Sequence, residues 1–563
     1  MIDRKIPKYL SIVFGFNSNS SLVFVASISV QKCLIIFFIF WVLIFALGII
    51  WRKYIGYFLL GKSLIKYELH KRNSSWRWGG ILCYATINIS RDFTYSADKL
   101  SCISLQRRDS KDQNYAMRKS TDHFFWDSRK NEKYITNLLW PIMTLKETII
   151  NQSGYFGDFG GAYIPELLNP LMEEISWAFF RLKDDPNFLQ DLHVLYREYI
   201  GRPSPLVSCD RLSQHLSGAR LFVKNEWINH TWAHKINHCV GQALLAKYLG
   251  KTRIIAETGA WQHGIATASI CARMGIECVI YMGAKDYDRQ RPNVYAMELT
   301  WAKVIPVHTG SATLRSAITA ALQDLIAHAD ESYYLLGTAC GPAPYPSMNV
   351  FFQKIIGEEV RLQFQEKMGT NPDILIACVG GGSNSLGLFY DFLDDTNTRL
   401  MWVEAWWRWI DTGEHATRFA DGKIWVTQWF KSIFLQTTEW HIRETSSISA
   451  GLDYAGVSPQ IAHLQSINRL EMFSATDREA LEAVQILMQY EWILPALESA
   501  HAVAHAIKIL PNLPNNTNVV VNLSGRGEKD LFITAPYFDS KFIPYLHTYV
   551  QSYDDTSRSR ISR

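Results

Sequence analysis

Four short stretches of this 563-residue chain hold residue types that can do chemistry together. In INHTWAHKINH, Lys235 follows His234 and opens an apolar helical pattern. A lysine whose pKa is lowered by burial is a nucleophile that can condense with an aldehyde cofactor. A lysine at a helix start is more often a solvated surface residue, so the pair alone decides nothing. In VGGGSN, Gly380, Gly381 and Gly382 precede Ser383 and Asn384 between an apolar strand and a helix. Backbone N–H groups free of side chains suit a phosphate there, although a flexible glycine turn reads the same way. In ETGAWQHG, Glu257 is the carboxylate that could move protons, while Thr258, Gly259, Ala260, Gln262 and His263 form a loop able to hold a substrate carboxylate. In NLSGRG, Ser524 offers a neutral hydroxyl to a ring nitrogen. Such a partner leaves a pyridine unprotonated, which suits β-elimination and replacement over transamination. No GxxxxGK[ST] occurs, which disfavours a P-loop nucleotide site.

These stretches sit between short β-branched runs and helical patterns. Runs at 253–256, 278–282, 303–307, 374–379 and 519–523 are each followed by a turn and a helix-like segment. That rhythm predicts an α/β fold with parallel sheets covered on both faces and a ligand beyond the carboxyl ends of the strands. It begins near Met143. Residues 1–142 show no such rhythm and include a charge-free apolar run of 19 residues at 33–51, about the length that spans ~30 Å of hydrocarbon. This run reads either as a membrane segment or as a chance frame. Residues 536–563 end in SYDDTSRSRISR, which is polar and aperiodic, and read as a frayed tail. The composition, 48% hydrophobic and 20% charged, is that of a globular protein, and a net charge of +4 points away from nucleic acid or anionic membrane as partner. Nine cysteines without CxxC or metal-ligand spacing read as reduced, packed thiols of a cytoplasmic protein.

From about Gly154 (GYFGDFGGAYIPE) to Pro536, through HTWAHK, ETGAWQHG, AKDYDRQRPN, VGGGSN, SAGLDYAG and NLSGRG, the chain resembles the tryptophan synthase β subunits, which are fold-type II pyridoxal-phosphate (PLP) enzymes. The resemblance implies two three-layer αβα domains with mostly parallel twisted sheets over 143–535, PLP in the cleft between them, and a non-homologous extension before them. It implies Lys235 as the Schiff-base lysine, His234 with Gly380, Gly381, Gly382, Ser383 and Asn384 at the phosphate, Ser524 at the pyridine nitrogen and Glu404 near the ring. Glu257 becomes the acid/base residue beside indole, and Thr258, Gly259, Ala260, Gln262 and His263 the carboxylate loop. Arg289 and Asp453 close a mobile domain over the substrate, and carbonyls of Gly380, Tyr454 and Gly456 line a monovalent-cation site for K+ or Na+. The implied reaction is replacement of the L-serine hydroxyl by indole, giving L-tryptophan and water. The implied assembly is a β homodimer in an α2β2 complex whose α subunit supplies indole. Serine deamination and cysteine synthesis are the alternatives within the same fold type.

The chain departs from that pattern in one direction only. Trp232, Trp261, Trp301, Trp402, Trp406, Trp407, Trp409, Trp425, Trp429, Trp440 and Trp492 stand where the family carries glycine. A glycine beside a phosphate or carboxylate is there for backbone approach or positive φ, so eleven indoles at such sites threaten a total stability of about 5–15 kcal/mol. The codon UGA differs by one base from the glycine codon GGA and is read as tryptophan in some codes and as glycine in others. One wrong table would put tryptophan only at glycine sites and would lengthen the frame upstream, with Met143 as the start and residues 1–142 as translated upstream DNA. If the tryptophans are real, the alternative is a non-catalytic partner or regulatory protein.

Overall fold

The computed structural model describes residues 10–16, 22–26, 58–60, 63–70, 82–88, 144–259, 262–310, 312–406 and 415–549. The chain divides into two compact units, Met1–His123 and Phe124–Arg563. In the first, five strands form an antiparallel sheet in the order Leu22–Ala26, Leu10–Phe16, Leu82–Asn88, Ser63–His70, Phe58–Leu60. The apolar run 33–51 and Met143 lie outside the described residues. Among the described residues no helix is long and apolar enough to cross a membrane.

The second unit carries the α/β rhythm. Strands Lys303–Val307, Glu277–Gly283, Arg253–Thr258 and Ser332–Tyr334 form a parallel four-stranded sheet in that order. A six-stranded sheet runs Glu471–Thr476, Arg399–Trp406, Ile374–Cys378, Asn518–Leu523, Arg220–Asn225, Leu206–Ser208, parallel except for the last, which is antiparallel. All five runs read from the sequence are strands. A smaller antiparallel sheet joins Gly422–Thr427 and Phe430–Leu435 to the hairpin of Tyr155–Phe156 and Phe159–Gly160.

Continuous apolar runs make sense in the six-stranded sheet because both of its faces are covered. Leu375, Ala377 and Val379 point into one core, with Val360, Phe364, Leu386 and Ile461. Their neighbours Ile374, Ile376 and Cys378 point into the other, with Leu487, Val503 and Leu510. Period-two alternation thus buries every residue, the signature of a parallel sheet between helical layers. The four-stranded sheet shares a core with helices Lys235–Tyr248 and Gln262–Met274. The first of these lies so close to Phe352 that a Cβ at Gly241 would sit 2.2 Å from its ring. Beyond Pro536 the chain completes helix Leu531–Phe538 and is helical again over 542–549.

Several of the eleven tryptophans leave a mark on the backbone. Nine described non-glycine residues have positive φ, and five of them are Trp232 (61°), Trp301 (69°), Trp429 (72°), Trp440 (68°) and Trp492 (56°). All five belong to the glycine-site set, whereas Trp177 and Trp227, outside it, lie in ordinary helical turns. Trp492 caps helix Asp477–Glu491 in the left-handed conformation that favours glycine. Trp402 is the opposite case, an extended residue fully buried in a strand, its indole N–H without a hydrogen-bond partner.

Candidate active site

The carboxyl ends of both large sheets open on one cleft of about 960 Å³, counted with its open mouth. Arg253–Thr258 delivers Glu257, Thr258 and the loop beyond; Ser332–Tyr334 leads to Leu336, Gly337 and Thr338; Ile374–Cys378 leads to Gly381. Lys235, the first residue of helix Lys235–Tyr248, reaches the cleft from beneath.

Lys235 Nζ donates to the Gly337 carbonyl at 2.7 Å, and the Gly337 N–H donates to Glu257 Oε1 at 3.2 Å. Burial is the main cause of lowered basicity at Lys235. Burial also pushes the Glu257 carboxyl up to about 7, against the opposing pull of hydrogen bonds and of Lys235. A reachable amine with a depressed pKa is a nucleophile, and a carboxyl titrating near neutrality can both give and take a proton.

A buried network fixes the start of the lysine helix. Arg202 donates to both oxygens of Glu226 (2.9 and 3.0 Å), to both oxygens of Glu359 (2.8 and 2.8 Å) and to Asn237 Oδ1 (2.9 Å). Asn237 passes the connection to Gln353 at 3.1 Å, and Gln353 Nε2 donates to the His234 carbonyl (3.2 Å) and Ser383 Oγ (3.1 Å). The lysine and the glycine-rich turn are therefore tied to one rigid polar core. Removing one member of such a network typically costs about 3–5 kcal/mol, because a buried charge is left without its partner.

The glycine turn fits a phosphate-bearing group. A Cβ at Gly381 would lie 2.0 Å from Thr338 Oγ1, and Gly382 has φ of 103°, so this wall of the cleft is backbone that only glycine can form. Asn384 is locked behind it by a 2.9 Å bond to the Cys378 carbonyl. His234 donates its backbone N–H to the Ser524 carbonyl at 2.9 Å and holds Nδ1 3.1 Å from the same oxygen. Burial lowers its ring to about 4, so it is neutral at physiological pH. The Ser524 hydroxyl lies beside Cys378 Sγ at 3.8 Å.

Of the residues read from the sequence, Lys235, Glu257, Thr258, Gly259, Gln262, His263, Gly381, Asp453 and Tyr454 line the cleft together. His234, Gly380, Gly382, Ser383, Asn384 and Ser524 are not among the lining residues; Gly380 and Gly382 adjoin Gly381 in its turn, and the others hold the contacts given above. Ala260 and Trp261 lie outside the described residues, and Arg289 is the last residue of helix Ala284–Arg289. Glu404, which the resemblance sets near the ring, is buried in an ion pair with Arg418 at 2.9 Å and is not among the residues lining the cleft. Sequence reading missed Gly337, Thr338, Tyr334 and Gln428, which come from short strands and turns without a motif. Trp429 also lines the cleft, at one of the strained positions.

His238, Cys239 and His263 bring their ligand atoms within 4.8 Å of one another. His238 Nδ1 lies 3.0 Å from Gln242 Nε2, His263 Nε2 is 2.9 Å from the Leu335 carbonyl, and burial pushes the Cys239 thiol up to about 12. The trio is a packed polar cluster with its nitrogens engaged and its sulfur protonated. Cys209, Cys239, Cys271, Cys278, Cys340 and Cys378 are buried and free.

The family model for pyridoxal-phosphate dependent enzymes matches residues 198–525. A tryptophan synthase beta chain from Methylibium petroleiphilum is 47% identical over 390 residues, 69% of this chain and 95% of that protein. Among solved structures, a cysteine synthase from Entamoeba histolytica (TM-score 0.45, 17% identity) covers 60% of this chain and 88% of its own. An aspartate racemase dependent on pyridoxal 5'-phosphate (TM-score 0.46, 14% identity) covers 62% of this chain and 97% of its own.

Proposed function

Because the chain belongs to the pyridoxal-phosphate-dependent enzymes, as a homologue of tryptophan synthase β chains, we propose that it replaces the hydroxyl of L-serine by indole, forming L-tryptophan and water. The observation that carries the reading is the pairing of Lys235 and Glu257 across the Gly337 peptide at the end of one cleft. When bound, PLP supplies an electron sink that weakens the bond from the serine β carbon to its hydroxyl.

This chain's residues do the rest. Lys235 holds the cofactor covalently, and the turn of Gly380, Gly381, Gly382, Ser383 and Asn384, with His234, receives its phosphate. Ser524 offers the ring nitrogen a neutral partner. Thr258, Gly259, Ala260, Gln262 and His263 orient the substrate carboxylate, and Arg289 and Asp453 secure the closed cleft. Glu257 in its protonated form gives its proton to the departing hydroxyl, and as carboxylate it then draws the N–H of indole, so a pKa near neutrality serves both steps. The apolar side of the cleft, with Leu314, Ile318 and Leu322, suits an indole and excludes water. The relative's name as a beta chain supports an α subunit as partner, and buried free thiols support the cytoplasm.

The same reading bears on the tryptophans. Five left-handed indoles, at about 1–2 kcal/mol each, would spend much of an ordinary stability, so we infer that the working chain carries glycine there. The test is turnover: the chain with glycine at the eleven sites, loaded with PLP, should convert serine and indole to tryptophan. Formation of pyruvate alone would replace this reading with serine deamination.

A further inference from the structure

The resemblance placed a monovalent cation among the carbonyls of Gly380, Tyr454 and Gly456. The structure puts the Arg418 side chain against two of these three, the carbonyls of Gly380 and Tyr454, and against two neighbours in the same loops. Arg418 Nη2 donates to the carbonyls of Val379 (2.6 Å) and Gly380 (3.0 Å), and Nη1 to those of Tyr454 (3.1 Å) and Leu452 (3.5 Å). Its Nε lies 2.9 Å from Glu404 Oε1, an ion pair without good hydrogen-bond angle, and the Arg418 side chain is wholly buried. Glu404 also receives the backbone N–H groups of Arg418 (3.0 Å) and Phe419 (3.4 Å), which pins the start of the short helix Arg418–Asp421. Gly422 closes that helix so tightly that a Cβ would fall 2.2 Å from the Arg418 carbonyl.

We propose that Arg418 is a built-in cation, replacing the K+ or Na+ expected among these carbonyls, so that this chain needs none. Carbonyl oxygens converging on one point bind a hard cation through their partial negative charge, and a guanidinium meets the same demand with five N–H donors and a permanent charge. Its planar fork, tethered to the chain, reaches carbonyls of both loops at once. A second positive ion entering this space would face a buried like charge a few ångströms away, with Glu404 already committed. The two loops joined here both reach the cleft: Val379 and Gly380 run straight into the glycine turn, and Leu452 and Tyr454 flank Asp453. Arg418 is thus a positioning residue that holds those loops in register whatever the salt.

The test is independent of the reaction assigned above. The full chain should melt at the same temperature in potassium, sodium and tetramethylammonium chlorides of equal ionic strength, and thallium-205 resonance lines should show no saturable broadening. A saturable rise in melting temperature with potassium or sodium over tetramethylammonium, or saturable thallium binding, would overturn the proposal. Arg418→Ala opens the cage and should lose stability that potassium or sodium, but not tetramethylammonium, restores. An Arg418→Ala chain as stable as the parent and indifferent to cations would also overturn it. Should that variant not fold, the ion series on the parent chain decides alone.

Discussion

One peptide unit joins Lys235 to Glu257: the Gly337 carbonyl accepts from the lysine at 2.7 Å while the Gly337 N–H donates to the carboxylate at 3.2 Å. The amine and the acid are therefore positioned by the same rigid group. Neither can shift without disturbing the partner of the other.

Removing the amine should abolish covalent capture of the cofactor. Lys235→Ala, in the chain with glycine at the eleven sites, should lack the visible absorption band of bound PLP and any adduct trapped by borohydride. A reducible adduct surviving in Lys235→Ala would move the assignment to another lysine.

Glu257 should separate binding from chemistry. Glu257→Ala should keep the PLP band and serine binding yet lose tryptophan formation by about 10²-fold or more, the usual scale of general acid–base catalysis. Undiminished synthesis would remove Glu257 from the mechanism.

The same residue makes a stability prediction whose sign follows from its raised pKa. From its ordinary value of 4.5 to about 7 the folded state holds a proton that the unfolded chain has released. Stability should therefore fall as pH rises through that window, by about 3 kcal/mol in all. Glu257→Gln, which has no proton to lose, should gain on the parent chain in urea melts at pH 8 and lose that advantage at pH 4.5. A constant difference across this range would show that the buried carboxyl is not the source.

Trp301 and Trp492 isolate the backbone strain, because their side chains are 94% and 84% exposed and bury little. Trp301→Gly and Trp492→Gly should each raise stability by about 1–2 kcal/mol, read from urea midpoints, by relieving a left-handed conformation that costs an L side chain this much. Loss of stability on both substitutions would mean the indoles are tolerated. The companion measurement is mass spectrometry of the native protein, which should find glycine at 232, 261, 301, 402, 406, 407, 409, 425, 429, 440 and 492 and an N-terminus near Met143. Tryptophan-containing native peptides at 232 and 261 would favour the non-catalytic partner reading, and a peptide from 33–51 would separate the leader from the codon question.

Local pattern alone marked the α/β class and five strands, at 253–256, 278–282, 303–307, 374–379 and 519–523, because short apolar runs and glycine turns are written within a few residues of one another; strands Arg220–Asn225, Arg399–Trp406 and Glu471–Thr476 it did not mark. It also marked Lys235, Glu257 and the turn at Gly381, whose chemistry depends on residue type and on a place at a strand end. Only the tertiary structure decided what those groups touch. Gly337 stands 102 residues from Lys235 and 80 from Glu257, and no spacing announces that its peptide serves both. Glu404 read as a cofactor neighbour, and its ion pair with Arg418, 14 residues on, was not legible beside that reading. The left-handed φ at Trp232, Trp301, Trp440 and Trp492 goes with local turns and caps, each backbone N–H donating to a carbonyl three or four residues back, but the angle itself is seen only in the folded chain. The carbonyl cage around Arg418 was hidden for the same reason: backbone oxygens carry no residue identity, so their convergence exists only once the loops ending at Gly380 and Tyr454 meet.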